Sequence, residues 1–586
     1  MAHNLESTHH RGLTPVRLLL IATSAFALYA NATTLLAPEY NRMVHWGLMG
    51  AVALLTYGRS RTGRDAPRAA DLALAALVAA STVFVITDYP DYIQRTGIVT
   101  TAELVFGVLM IALVLEATRR VVGWFLVLMV AAALAYALAG QHLTGLFAHR
   151  GYDLSRLVGS LYLGSSGIYG LPMEISATFV IMFVLFGALL TQSGGDRWFM
   201  DLALALTGRL RGGAAMSAVT SSALMGMISG SPVACVVTVG NFTVPLMTRT
   251  GFGREFAGAT IAVASTASMF TPPLMGAGAF LIAEYLQVPY SEVARAAILP
   301  AALFYLALIA TVYLWTVQRG IRPDTERPLP NVGLTLARYG HMMPPVVALV
   351  ALIYAGRSLM QAAFWSIVLT LACSLLRSHT RVGLARLAGA LEEGARGMVA
   401  IAVACAAAGI IVGIINLTGI GFTLSATLTG LAQGQPLLLL ALIMAAAILL
   451  GMAIPPTAVY LVLAGLSVPA MTAAGFAPMA AHFFIFFFSS MGAITPPVAL
   501  AAYAAAAVSG ADVTRTGWLA FRLGIAGYII PFLCMYYSGL LLVGGPANVL
   551  WGLTVAIALI VATSLAAHYV NRLTEHKPSG EPVSQS

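Results

Sequence analysis

Ser229-Gly230-Ser231-Pro232, with Thr271-Pro272-Pro273 further along, and Pro455-Pro456-Thr457, with Thr495-Pro496-Pro497 at a similar distance beyond it, decide the fold of this chain. All four lie inside long apolar stretches. Proline and glycine beside hydroxyls, at matching places in two hydrophobic halves, predict helices interrupted near the middle of a membrane. Such backbone is tolerated at that depth only where it is buried in protein or lines a cavity. The stretches 214–247 and 435–474 are too long for single spans and are broken near their centres, so each reads as a re-entrant hairpin.

The composition sets the frame for these breaks. The chain has 586 residues, of which 59% are hydrophobic and 9% charged, with a mean hydropathy of +0.88. Repeated apolar runs with so little charge mark a polytopic, all-α membrane protein. The net charge of +9 is almost wholly arginine, since Lys577 is the only lysine. The arginines sit in short loops between apolar runs, so they report topology and not a nucleic-acid surface. Cys235, Cys373, Cys405 and Cys534 are far apart in apolar runs and predict neither a disulfide framework nor a zinc site. The N-terminal apolar run from Val16 lacks a clear cleavage site and reads as the first span.

Spans are expected at 16–36, 43–58, 69–87, 101–118, 121–140, 174–192, 256–285, 294–317, 338–356, 359–377, 397–415, 477–508, 517–542 and 547–569, about 14 in all besides the two hairpins. A polar stretch from His142 to Ser166 interrupts the series. With both termini cytoplasmic, the cytoplasmic loops hold Arg59, Arg61, Arg64, Arg68, Arg119, Arg120, Arg209, Arg211, Arg249, Arg254, Arg319, Arg322, Arg377, Arg386 and Arg515. The opposite face keeps only Arg95, Arg150, Arg156, Arg295 and Arg357. That asymmetry holds only if each hairpin returns to its own side. The Ser229 hairpin then enters from the cytoplasm and the Pro455 hairpin from outside. Gly187–Gly195 parallels Gly413–Gly421, Ser229 parallels Pro455 at the same offset, and Thr271 parallels Thr495 at nearly the same one. Related segments in opposite orientations form an inverted repeat, with halves at about 174–317 and 397–542. Two charged segments, 197–211 and 382–396, read either as interfacial arms or as amphipathic connectors.

A break in a membrane helix frees carbonyls on one side and N–H groups on the other, suited to a cation and a carboxylate respectively. Ser229, Ser231, Thr266, Ser268 and Thr271 in one half, and Thr457, Ser489, Ser490 and Thr495 in the other, supply neutral oxygens for a weakly held monovalent cation. No Asp or Glu lies at these breaks, which argues against a carboxylate proton relay there. Glu174 and Glu284 stand at span ends and read as pathway residues or as residues of the water interface. Asn241 and Asn416 read as ligands or as caps, and Thr418 beside Asn416 joins the candidates for the substrate pathway. His482 reads as an interfacial residue in preference to a proton carrier. No catalytic cluster of His, Asp, Glu or Cys is found, and no GxxxxGK[ST] loop, so neither an enzyme nor an ATP-driven pump is expected.

Several of these runs resemble the TRAP transporter permeases: Ser176-Ala177-Thr178-Phe179-Val180 through Ala188, Gly208-Arg209-Leu210-Arg211-Gly212-Gly213, Phe242 to Met247, Thr271 to Ala277, Ala480 to Phe483 and Ala493 to Tyr503. The likeness covers about residues 100–545 and is nearest to the fused permeases of the TAXI branch. Residues 1–140 then correspond to the small membrane subunit, 141–570 to the large transport subunit and 571–586 to a cytoplasmic tail. The resemblance implies an elevator-type transport domain on a scaffold in a bacterial-type inner membrane. It implies a soluble extracytoplasmic substrate-binding protein as partner, and import of small organic acids, commonly carboxylates. It implies sodium as coupling ion and no other cofactor. It also places ion sites at Ser229, Gly230, Ser231, Pro232 and Thr266 to Pro273, and at Gly451 to Thr457 with Ser489, Ser490, Gly492, Thr495, Pro496 and Pro497. Two departures, Pro455-Pro456 and the Ser265-Thr266-Ala267-Ser268 run, leave a proton open as the coupling ion. The alternative function is a stand-alone cation–carboxylate symporter needing no binding protein.

Overall fold

A computed structural model describes residues 15–33, 36–57, 69–95, 98–321, 329–432, 434–543 and 545–574. Arg59, Arg61, Arg64, Arg68, Arg322 and the tail beyond 574 lie outside the described residues. Among the described residues every regular element is helical. Ten helices or helix pairs are long and apolar enough to span a bilayer, and several shorter apolar helices accompany them. The chain is a multi-pass membrane protein. The expected spans at 256–285 and 477–508 are each two helices with a turn between them, as their Thr-Pro-Pro breaks predict.

The chain divides into two compact units, one of Met1–Arg197, Gly276–Val293 and Leu336–Ser489, the other of Trp198–Met275, Ala294–Thr335 and Ser490–Ser586. The first unit is organised around a helix of 35 residues, Leu384–Thr418. At 1.5 Å per residue it runs about 52 Å, well beyond an apolar core of about 30 Å. The segment 382–396 is therefore no separate arm: from Leu384 it is the first part of this helix, and its charges mark the end that leaves the apolar layer. Small residues let neighbours approach its backbone. A Cβ on Gly409 would lie 2.4 Å from the Gly167 carbonyl oxygen, and one on Gly413 would lie 2.8 Å from that of Ser166. The polar 142–166 stretch thus leads into a loop seated on this helix.

The N-terminal helices are bound to the same unit by polar contacts. Arg17 pairs with Glu392 at 2.9 Å and Arg42 with Glu174 at 2.7 Å. Ser24 Oγ donates to the Leu391 carbonyl at 2.6 Å, and Asn31 Nδ2 to that of Ala177 at 2.9 Å. Inside the N-terminal part, Arg120 reaches the carboxylates of Asp71 and Glu116 at 2.7 and 2.6 Å. Asp71 is only 3% exposed. Removing the cation takes a guanidinium partner from a buried carboxylate, so Arg120→Ala should cost about 1.5–3 kcal/mol of stability. A lowered thermal midpoint with the ion dependence of uptake unchanged is the expected result. Altered ion dependence at full stability would contradict it.

In the second unit, Gly213–Ser229 packs along Pro232–Arg249, so the chain reverses at Gly230. The sequence expects a hairpin at this place. Arg254–Thr266 packs on both limbs and on Leu500–Ser509 and Val513–Leu523, which belong to the other repeat. In the first unit, Pro456–Ala473 likewise packs on Pro436–Gly451 and on Ala277–Leu286. The helix that follows each break therefore packs on the hairpin of the opposite repeat.

Candidate ion and substrate site

The first hairpin turns on residues with backbone requirements of their own. Gly230 is left-handed, with φ of 56°, a conformation that costs any residue with a Cβ. Ser231 caps the next helix, its Oγ accepting from the Ala234 N–H at 3.5 Å, and Pro232 occupies the first helical turn. The side chain of Ser229 lies outside the described residues. The second hairpin closes differently. Gly451 ends one limb, Pro455 is extended, Pro456 opens the next limb without a side-chain cap, and Thr457 is buried behind it.

The two helix breaks repeat one another closely. After Arg254–Thr266, the chain makes a tight turn over Ala267–Phe270, extends at Thr271, passes a cis Pro272–Pro273 bond and takes positive φ at Met275. After Pro478–Met491 it makes a tight turn over Gly492–Ile494, extends at Thr495, passes a cis Pro496–Pro497 bond and takes positive φ at Ala499. Each threonine is held the same way. Thr271 Oγ1 donates to the Ala267 carbonyl at 2.5 Å and meets the Tyr305 hydroxyl at 3.1 Å. Thr495 Oγ1 donates to the Met491 carbonyl at 2.7 Å and meets the Tyr528 hydroxyl at 2.7 Å. With its proton committed to the helix, each threonine oxygen acts as an acceptor.

The remaining hydroxyls fall into two classes. Thr266 and Ser489 donate to the preceding helical turn, at 2.8 and 2.7 Å, which leaves their oxygens as acceptors. Ser268 is fully buried and, among the described residues, its Oγ has no hydrogen-bond partner; Ser265 and Ser222 are as deeply buried, and Ser221 is nearly so. Ser268 faces the first hairpin: a Cβ on Gly226 would lie 2.8 Å from its Cβ and 3.0 Å from its Cα. The second unit therefore brings together a hairpin limb, the first break with Ser268 and Thr271, and the Ser490–Pro497 break. Gly451, Pro455, Pro456, Thr457 and Ser489 belong to the first unit.

The tyrosines are missing from the sequence reading. Tyr305 stands on Tyr290–Gln318 and Tyr528 on Ala526–Tyr536, beyond the helices that follow the breaks, and only their recurrence at nearly the offset that relates Thr271 to Thr495 flags them. Ser222 and Ser265 read as ordinary small residues of apolar helices. Of the pathway candidates, Asn241, Asn416 and Glu284 are exposed. Thr418 donates to the Ile414 carbonyl at 2.8 Å, as a residue ending a helix does. Glu174 is taken by Arg42. His482 is buried: it is 5% exposed, bonded through Nδ1 to the Tyr460 hydroxyl at 2.8 Å and stacked on Tyr285. Apolar neighbours on several helices bury a position that a linear reading places at a span end.

Residues 109–548 match the family described as the tripartite ATP-independent periplasmic transporter, DctM component. The chain is similar to the C4-dicarboxylate TRAP transporter large permease protein DctM of Pseudomonas aeruginosa, with 25% identity over 340 residues, 57% of this chain and 78% of the relative. It is 24% identical over 343 residues to the isethionate TRAP transporter permease protein DctMQ of Oleidesulfovibrio alaskensis, covering 57% of this chain and 52% of that relative. The chain thus spans about half of that longer relative. A shorter match, 33% over 97 residues, is to the ectoine TRAP transporter large permease protein TeaC of Halomonas elongata, covering 17% of this chain and 23% of that one.

Proposed function

Because the chain belongs to the DctM family of tripartite ATP-independent periplasmic transporters, we propose that it is the membrane permease of a secondary importer of small organic acids, fed by a soluble extracytoplasmic binding protein. It is a transporter and not an enzyme. Uptake is driven by an ion gradient, with sodium as the coupling ion, through an elevator-type displacement of the hairpin-bearing domain. The protein works in the inner membrane with both termini cytoplasmic, and the resemblance of its motifs to fused permeases supports the TAXI branch.

The observation that carries this reading is the duplicated break. Two extended segments, each fixed by a threonine between a helix carbonyl and a tyrosine, present oxygens of neutral groups and no carboxylate. Neutral oxygens suit a hard monovalent cation held weakly enough to be released. Buried Ser268, whose Oγ has no partner among the described residues, fits the same ligand. The names of the relatives, which cover a C4-dicarboxylate, isethionate and ectoine, support small polar organic solutes as cargo.

The test is uptake of succinate and 2-oxoglutarate into liposomes holding the purified chain, with and without its binding protein, under sodium or proton gradients. Uptake requiring both the partner and sodium is expected. Partner-independent uptake would make the protein a stand-alone symporter. A response to protons alone would overturn the sodium assignment.

A further inference from the structure

Resting on that proposed function, we infer that Arg522 is the residue that receives the carboxylate of the transported acid. Val513–Leu523 is an amphipathic helix. Its inner face, Thr516, Gly517, Ala520 and Leu523, is buried, and the helix packs on Arg254–Thr266. Its outer face carries Thr514, Arg515, Trp518, Leu519 and Arg522 and is left open, with both arginines exposed. Arg515, Trp518 and Arg522 fall at intervals of three and four and so share one side of the helix. Among the described residues, neither guanidinium has a carboxylate within ion-pair distance.

The depth of Arg522 makes this significant. A Cβ on Gly524, two positions on, would lie 2.7 Å from Ile494 Cδ1, and Tyr528 bonds Thr495. Arg522 therefore stands at the level of the second break. Leu500–Ser509, which leads from that break to the Arg515 end, has 10 residues, about 15 Å and half of a 30 Å apolar core. A cation at mid-depth without an acidic partner is costly against lipid, so it belongs where water and a charged solute reach it. Repeat symmetry sharpens the assignment. At the offset that relates Tyr528 to Tyr305, the counterpart of Arg522 is Leu299. The threonine–tyrosine pairs are duplicated and the cation is not. One guanidinium suits one carboxylate, bound through a charge-assisted, bidentate pair. Arg515, about 10 Å nearer the surface along the helix, draws anions toward Arg522.

The test uses the full chain in proteoliposomes with its binding protein, and succinate and 2-oxoglutarate as probes. Arg522→Gln should raise KM for both by at least about tenfold, with thermal midpoint and sodium dependence as in the unaltered protein. Arg522→Lys, which keeps the charge and loses the fork, should fall between them. An unchanged KM in Arg522→Gln, with the unaltered protein active, would overturn this assignment and leave the proposed function standing. Failure of the unaltered protein to carry either acid would remove the proposed function and this inference together. Reconstitution in phosphatidylcholine alone and with phosphatidylglycerol separates a lipid contact from a substrate contact. A defect present only with phosphatidylglycerol would make Arg522 a headgroup anchor and overturn the proposal.

Discussion

Replacing Thr495 by valine should sharply raise the sodium concentration that ion-driven uptake requires while leaving the protein folded. The two side chains have nearly the same shape, so packing is preserved and only the hydroxyl is lost. That hydroxyl joins the Met491 carbonyl, at the end of one helix, to the Tyr528 hydroxyl on another. It thereby fixes the extended segment where the chain leaves its helix. Losing a buried partner of this kind costs about 1–3 kcal/mol, equivalent to roughly a five- to 150-fold loss in affinity if it falls on the ion-bound geometry. Thr271→Val should behave alike, since Thr271 links Ala267 to Tyr305 in the same manner. Tyr528→Phe removes the donor and keeps the helix bond, so its effect should be smaller. The measurement is the sodium concentration that half-saturates uptake, read beside thermal stability. Full activity in both threonine variants would remove the breaks from the ion site.

The breaks are legible in the sequence because breakers are chemically distinctive. Pro, Gly and hydroxyls inside an apolar run leave few readings, and their recurrence at nearly constant offsets, Ser229 with Pro455 and Thr271 with Thr495, exposes the repeat. The hairpin at Gly230 follows from one residue, whose left-handed backbone favours glycine. Contacts between distant helices are not legible. Tyr305 and Tyr528 look like ordinary aromatic residues of spanning helices until the fold places them against Thr271 and Thr495. His482, at a span end by hydropathy, is buried by Tyr460 and Tyr285 from two other helices. Arg522 escapes a linear reading because topology is read from loop arginines, and this one lies inside a span. The segment 382–396 parts from its helix in such a reading for the opposite reason: charge marks where a helix leaves the apolar layer and says nothing of where the helix begins.

Gly226→Ala should also eliminate most transport, by a steric route that can be separated from the chemical one. The added Cβ would lie 2.8 Å from the Cβ of Ser268 and 3.0 Å from its Cα. These atoms belong to or sit directly on the backbone, so no side-chain rotation relieves the contact. Either the hairpin limb or the turn over Ala267–Phe270 must shift, at the roughly 1–3 kcal/mol typical of overpacking a close contact. A displaced turn carries Ser268 and Thr271 with it, so sodium affinity should fall along with the rate. Removing the opposing Cβ in Gly226→Ala/Ser268→Gly should return part of the lost stability. It should not return sodium affinity, because the buried Ser268 hydroxyl is then gone as well. Recovery of both in the double variant would mean that Ser268 only fills space, and that the oxygens of the first break lie on Thr266 and Thr271 alone. Recovery of neither would place the damage in the hairpin limb, whose packing against Arg254–Thr266 would then govern transport in its own right.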